Sequence, residues 1–94
     1  MAFTFLSRFR IKPDKEADFV ALAKRMTAHS TDEPETLAYQ FYRLDEPGMF
    51  AVFESFTSPA GDQAHQDRPE NAAIIGDMMG CMDGAYTREY LHDL

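Results

Sequence analysis

The chain has 94 residues, 45% of them hydrophobic, and its 9 basic against 16 acidic side chains leave a net charge of -7. That is enough apolar material for one core spanning residues 1–94 and too short a chain for two domains. The acidic balance offers no cationic surface to displace counterions from phosphates, which argues against nucleic acid and anionic membrane as partners. Arg8 and Arg10 fall where a signal peptide needs unbroken apolar sequence, and no segment is long enough to span a bilayer. Cys81 is alone, so it has no internal disulfide partner, and nothing near it has the paired spacing of a zinc site. The expected setting is a reducing cytoplasm, without a bound metal.

From Ala2 to Ile11 apolar and polar residues alternate, which predicts a strand with Phe3, Phe5, Ser7, Phe9 and Ile11 on one face. Lys12-Pro13-Asp14 stops the alternation. Phe19, Leu22, Ala23 and Met26 then recur at helical spacing, with Asp14, Glu16 and Asp18 early and Lys24 and Arg25 late, as a helix dipole favours. The polar run Ser30 to Thr36 reads as a loop in which little is buried, because Pro34 bars its predecessor from helical geometry. Leu37 to Leu44 and Met49 to Phe56 are aromatic-rich strand candidates joined by Asp45-Glu-Pro-Gly48, so a hairpin is predicted. A four-residue loop pairs Phe41 with Val52 and Tyr39 with Glu54, leaving Leu37, Tyr39, Phe41, Val52, Glu54 and Phe56 on one face. Ser58-Pro59 is a helix start, and His65 lies in that helix until Arg68-Pro69 interrupts it. A second piece, roughly 70–82, carries Ile75, Met78, Met79 and Met82 on one stripe; Gly76 and Gly80, one turn apart, suggest close backbone approach. Ala85 to Leu91 is a last strand with Tyr86, Arg88 and Tyr90 on one face.

Strand, helix, strand, strand, helix, strand is the order of a ferredoxin-like βαββαβ α+β sandwich. Its helices cover one sheet face. Leu6, Tyr42, Met49, Ala51 and Phe53 would point the other way, so a second copy of the chain is the expected cover.

The ordered segments Ile11-Lys-Pro-Asp-Lys-Glu-Ala-Asp-Phe19, Glu35-Thr-Leu-Ala-Tyr39, Phe53-Glu54-Ser55-Phe56 and Gln63-Ala-His65 resemble the antibiotic biosynthesis monooxygenase family. The resemblance implies a homodimeric α+β barrel and, in many members, oxidation of quinols or polycyclic phenols by dioxygen with neither metal nor flavin. Other members degrade haem, isomerise small sugar-derived signals or have no established activity. The family commonly carries a tryptophan where this chain has Phe56, and often a second histidine where it reads Arg68-Pro-Glu-Asn71. The haem-degrading branch uses an asparagine, that tryptophan and a later histidine; the matching places here hold Ser7, Phe56 and no histidine, which argues against haem breakdown.

Glu54 and His65 are the candidate catalytic pair. A carboxyl pointing into a layer of Phe, Tyr, Leu and Val is pushed toward its protonated form by desolvation and can exchange a proton with a phenol near neutral pH; the alternative is a structural carboxylate held by an arginine or by backbone amides. An imidazole can act as base or orient a substrate hydroxyl, and the family motif lands on His65. Tyr39, Ser7, Arg88, Met79 and Phe56 are the candidate substrate contacts: a hydrogen-bond donor, a small polar break that leaves room, a partner for a developing anion, and flexible or flat apolar surface. Packing or a local ion pair is the alternative for each. His29 at a helix end and His92 in the tail have no role. The function expected is oxidation of a small aromatic substrate by dioxygen without a cofactor. The rivals are an isomerase of a small carbonyl metabolite, working by proton transfer, and a noncatalytic dimeric module for metabolite binding or stress.

Overall fold

The computed structural model describes residues 2–94. The elements are β1 (Phe3–Arg10), a 3₁₀ turn (Pro13–Lys15), α1 (Glu16–Ser30), β2 (Thr36–Arg43), β3 (Met49–Phe56), α2 (Pro59–Asp67), α3 (Pro69–Cys81) and β4 (Thr87–Leu91). All neighbouring strands are antiparallel, in the order β2-β3-β1-β4, which is the ferredoxin-like α+β arrangement. The predicted fold class is therefore the observed one.

Each element follows from local chemistry. Gly48 takes φ +83°, which closes the β2–β3 hairpin at the one turn position where a side chain would be strained. Ser58 caps α2 by accepting from the Gly61 amide, and Pro59 and Pro69 occupy the first helical positions of α2 and α3. The predicted pairs Phe41 with Val52 and Tyr39 with Glu54 are present. Leu37 departs from expectation: a register irregularity between Thr36 and Ala38 puts it in a bulge, where it is 59% exposed, and Thr36 takes the place opposite Phe56.

The core lies between the sheet and the helices. Phe19 of α1 is its anchor, with ring centroids 5.3 Å from Phe9, 5.2 Å from Phe50 and 5.8 Å from Phe41. Ala23 and Met26 continue that stripe, and Ile74, Met78 and Cys81 supply the face of α3. The C-terminus of α3 is tied to the end of β1 by an Ile11–Met82 bridge and by Asp83 N–H donating to the Arg10 carbonyl at 2.8 Å. Gly76 and Gly80 do not mark a close approach: a Cβ at either would meet only open space.

The other sheet face is uncovered in the protomer. Tyr42 and Leu91 are each 44% exposed, and Leu6, Met49 and Phe53 are half-buried. Ala51 also points outward but is buried, flanked by its register neighbours Arg8 and Tyr42. No helix among the described residues is long and apolar enough to cross a membrane.

Candidate active site

The inward sheet face is a grid whose rows come from the strand registers. One row runs Tyr39, Glu54, Phe5, Tyr90; the next runs Phe41, Val52, Ser7, Arg88. Helices α2 and α3 roof this grid with His65, Gln66, Ile75, Met78 and Met79, and a cavity of about 110 Å³ remains between the layers. Its apolar walls are Phe9, Phe41, Val52, Ile75, Met78 and Met82, and its polar groups are Ser7, Tyr39, Glu54, His65, Gln66 and Arg88. Met79 and Tyr86, 54% and 44% exposed, form the rim.

His65 is 2% exposed and held from two sides. Its Nδ1 lies 2.9 Å from Glu33 Oε1. That same oxygen accepts from Asn71 Nδ2 at 3.2 Å, and Asn71 Nδ2 also donates to the His65 carbonyl at 2.9 Å. Asn71 Nδ2 and His65 Nδ1, 3.4 Å apart, are two donors converging on one acceptor. Nδ1 is thus turned toward Glu33, and Nε2 faces the cavity. On that side Glu54 Oε1 stands 3.9 Å away, too far for a direct hydrogen bond. An oxygen atom at ordinary hydrogen-bond distance from both fits between them at roughly a right angle.

Glu54 is buried, with Phe5 and Tyr39 as its register neighbours. Burial, the largest cause, pushes its carboxyl up to about 8; Arg88 opposes the rise, and Asp62 and Glu33 add to it. At neutral pH it is accordingly a hydrogen-bond donor. Burial first, and then the carboxylates of Glu54, Glu33 and Asp62, push the Tyr39 hydroxyl far above its ordinary value, so it too stays protonated. Its ring sits 5.2 Å from the His65 ring. Arg88 lies over the Phe5 ring at 3.8 Å and donates to Asp62 Oδ2 at 3.3 Å, which fixes its guanidinium at the cavity wall.

Of the residues singled out from the sequence, Ser7, Tyr39, Glu54, His65, Met79 and Arg88 all line this cavity. Phe56 does not. It is fully buried behind His65, with ring centroids 5.5 Å apart, and stacks on Phe5, so it backs the imidazole and has no surface to offer a substrate. Four polar residues of the site were missed, among them Gln66 on the cavity wall. Glu33 sits in the run read as an exposed loop, yet it is 7% exposed, folded under α2 by a turn in which its N–H donates to the Ser30 carbonyl and its own carbonyl accepts from Thr36. No periodicity marks such a position. Asn71 is fully buried in the first turn of α3, and Asp62 is buried beside Arg88. The three-residue spacing of Asp62 and His65, which places them on one helix face, was the available signal for Asp62.

Comparison with known proteins places the fold among solved structures. The chain is 33% identical over 61 residues to an uncharacterised protein of Synechocystis, a match covering 64% of this chain and 42% of that protein, so it spans less than half of the curated relative. A solved structure from Caulobacter crescentus, named for antibiotic biosynthesis monooxygenases, is 26% identical with a TM-score of 0.91, covering 99% of this chain and 90% of that one. Rv0793 of Mycobacterium tuberculosis shares the fold at 19% identity and a TM-score of 0.90, covering 100% of this chain and 96% of that one. A conserved protein of Methanosarcina mazei does so at 18% and 0.92, covering 100% and 94%. Residues 2–76, which run from β1 into α3 and include Glu33, Tyr39, Glu54, His65 and Asn71, match the antibiotic biosynthesis monooxygenase family, and the chain belongs to that family.

Proposed function

We propose that this protein is a cofactor-independent monooxygenase, acting as a homodimer in the cytoplasm, that oxidises a quinol or similarly electron-rich aromatic with dioxygen. One observation carries the reading: hydrogen-bonding groups from β2, β3, β4 and α2 (Tyr39, Glu54, Arg88 and His65) converge on one cavity whose remaining walls are mostly apolar. Dioxygen reacts directly only with an electron-rich anion, so the substrate hydroxyl must first lose its proton. His65 Nε2 takes it, while protonated Glu54 and Tyr39 donate to the oxyanion. The anion passes an electron to dioxygen, and the resulting pair combines at ring carbon to give a peroxide. The His65 proton goes to the distal peroxide oxygen, which departs as water together with the hydrogen on that carbon, leaving a quinone carbonyl. One oxygen atom ends in the product and one in water, and the substrate supplies all the electrons.

The cavity volume, about 110 Å³, leaves room for no more than one ring, since a larger cavity of about 150 Å³ holds a single benzene. Monocyclic quinols should therefore turn over better than tricyclic anthrones, which must displace Met79 or Tyr86 at the rim. Oxygen uptake with a panel of both tests the reading. Turnover that persists without oxygen would instead favour an isomerase using the same proton-transfer groups, and no turnover with any member would leave a metabolite-binding module.

A further inference from the structure

The structure assigns Glu33, with Asn71, the task of fixing which nitrogen of His65 carries the proton, so that Nε2 and not Nδ1 faces the cavity as acceptor. Glu33 is thus a positioning residue, two bonds of relay away from the substrate and not in contact with it. The assignment rests on the reading of His65 as the base, and it specifies how a buried imidazole could serve as one.

Four features support it. Glu33, His65 and Asn71 come from three different segments, the α1–β2 connection, α2 and α3, yet the side chains meet at one oxygen, Glu33 Oε1. All three are buried, so water does not compete for the Nδ1 proton. The Asn71 amide is oriented by two acceptors, Glu33 Oε1 and the His65 carbonyl; reversing it would set its oxygen against both. That leaves Asn71 Oδ1 without a hydrogen-bond partner in the protomer, a cost accepted so that its amide hydrogens serve Glu33 and the histidine backbone. Finally, the remaining charged and titratable groups about His65 do not offer Nδ1 another acceptor. Glu54 lies on the Nε2 side, Tyr39 packs against the ring at a 50° tilt, Arg68 Nε stands 3.8 Å from Glu33 Oε2 on the solvent side, and Asp62 is engaged by Arg88 and Gln66.

The carboxylate–imidazole pair does two things for a base. It removes the tautomer in which Nε2 carries the proton and is useless as an acceptor, and it places a negative charge where the imidazolium forms after proton transfer. Neither effect requires Glu33 to touch the reacting atoms.

Nitrogen-15 NMR of the histidine ring tests this without any substrate. In the wild-type protein with a neutral imidazole, Nδ1 should show the shift of a protonated ring nitrogen and Nε2 that of a bare one. Glu33→Ala should move the population toward Nε2–H and lower kcat by about 10–100-fold with little change in KM, the scale seen when outer partners of functional histidines are removed. Glu33→Gln keeps an acceptor for both donors, so it should retain the wild-type tautomer and fold while losing the charge, with kcat falling by an intermediate factor. A wild-type His65 protonated on Nε2, or a Glu33→Ala protein that keeps the wild-type tautomer, would overturn the assignment. Because the ring shifts are read on the free protein, absence of turnover with every quinol would overturn the proposed oxidation and leave the positioning intact.

Discussion

At the scale of single residues, the candidate site turns on His65 and on Glu54, whose protonation is set by its surroundings. Glu54 holds its proton in the folded state up to about pH 8, whereas in the unfolded chain it loses it near 4.5. Between those values the native state binds the extra proton, so each rise in pH weakens folding, by at most about 1.4 kcal/mol per unit from this group. Below 4.5 both states are protonated and the group has no effect. Glu54→Gln should therefore flatten the fall in melting temperature between pH 5 and 8 relative to wild type, measured by thermal unfolding across a pH series. If the proposed oxidation holds, the wild-type protein should lose activity above about pH 8 as Glu54 ionises and ceases to donate, and the same substitution should remove that loss. His65→Ala should lower kcat by about 100-fold or more, the usual weight of a general base. Its expression and melting should be checked alongside, since the ring also packs on Tyr39 and Phe56.

Among the elements, α2 carries the proposed base, His65. Helix α2 has nine residues, and its buried positions are Gly61, Asp62 and His65, so polar contacts and close fit hold it more than apolar area does. Gly61 is where it meets the sheet: a Cβ there would stand 3.1 Å from Glu35 Cβ and 3.3 Å from Phe56 Cβ. Phe56 is fully buried and cannot yield, so the steric cost should outweigh the gain in helix propensity from alanine. Gly61→Ala is expected to destabilise by about 1–3 kcal/mol in urea unfolding, the range for overpacked sites. It should also reduce turnover, because the helix that shifts is the one presenting His65. An alanine at Gly76 or Gly80, where space is open, should leave both quantities unchanged or raise stability slightly.

For the whole molecule the unresolved balance lies on the outer sheet face. Leu6 and Phe53 are register partners at its centre, with Tyr42 and Leu91 nearer the edges, while Arg8–Glu89 and Arg10–Glu46 pairs cross the same face. Apolar centre and charged margin together describe an interface better than a solvated surface. Phe53→Lys should convert the proposed dimer into a monomer in sedimentation velocity runs; a dimer of unchanged affinity would mean that another face is used. The cavity opens on the opposite side of the sheet, so a monomeric variant that keeps its ring-nitrogen shifts and turnover would show the site to be complete within one chain.

What the amino-acid sequence determined by itself was whatever depends on spacing and on short-range chemistry. Alternation in β1, the Phe19, Ala23, Met26 stripe of α1, the Gly48 turn and the Ser58-Pro59 start are each legible over a few residues, and together they order the ferredoxin-like fold and aim Glu54 inward. The tertiary structure alone decided which polar residues share a buried space. Glu33 sits 32 positions from His65 along the chain and 38 from Asn71, and only the docking of α2 and α3 over the α1–β2 connection brings the three together. Burial of a polar side chain is a property of what packs above it, not of its own neighbours, which is why the loop around Pro34 read as solvent-exposed. The bulge at Leu37 belongs to the same class, because register is settled between strands.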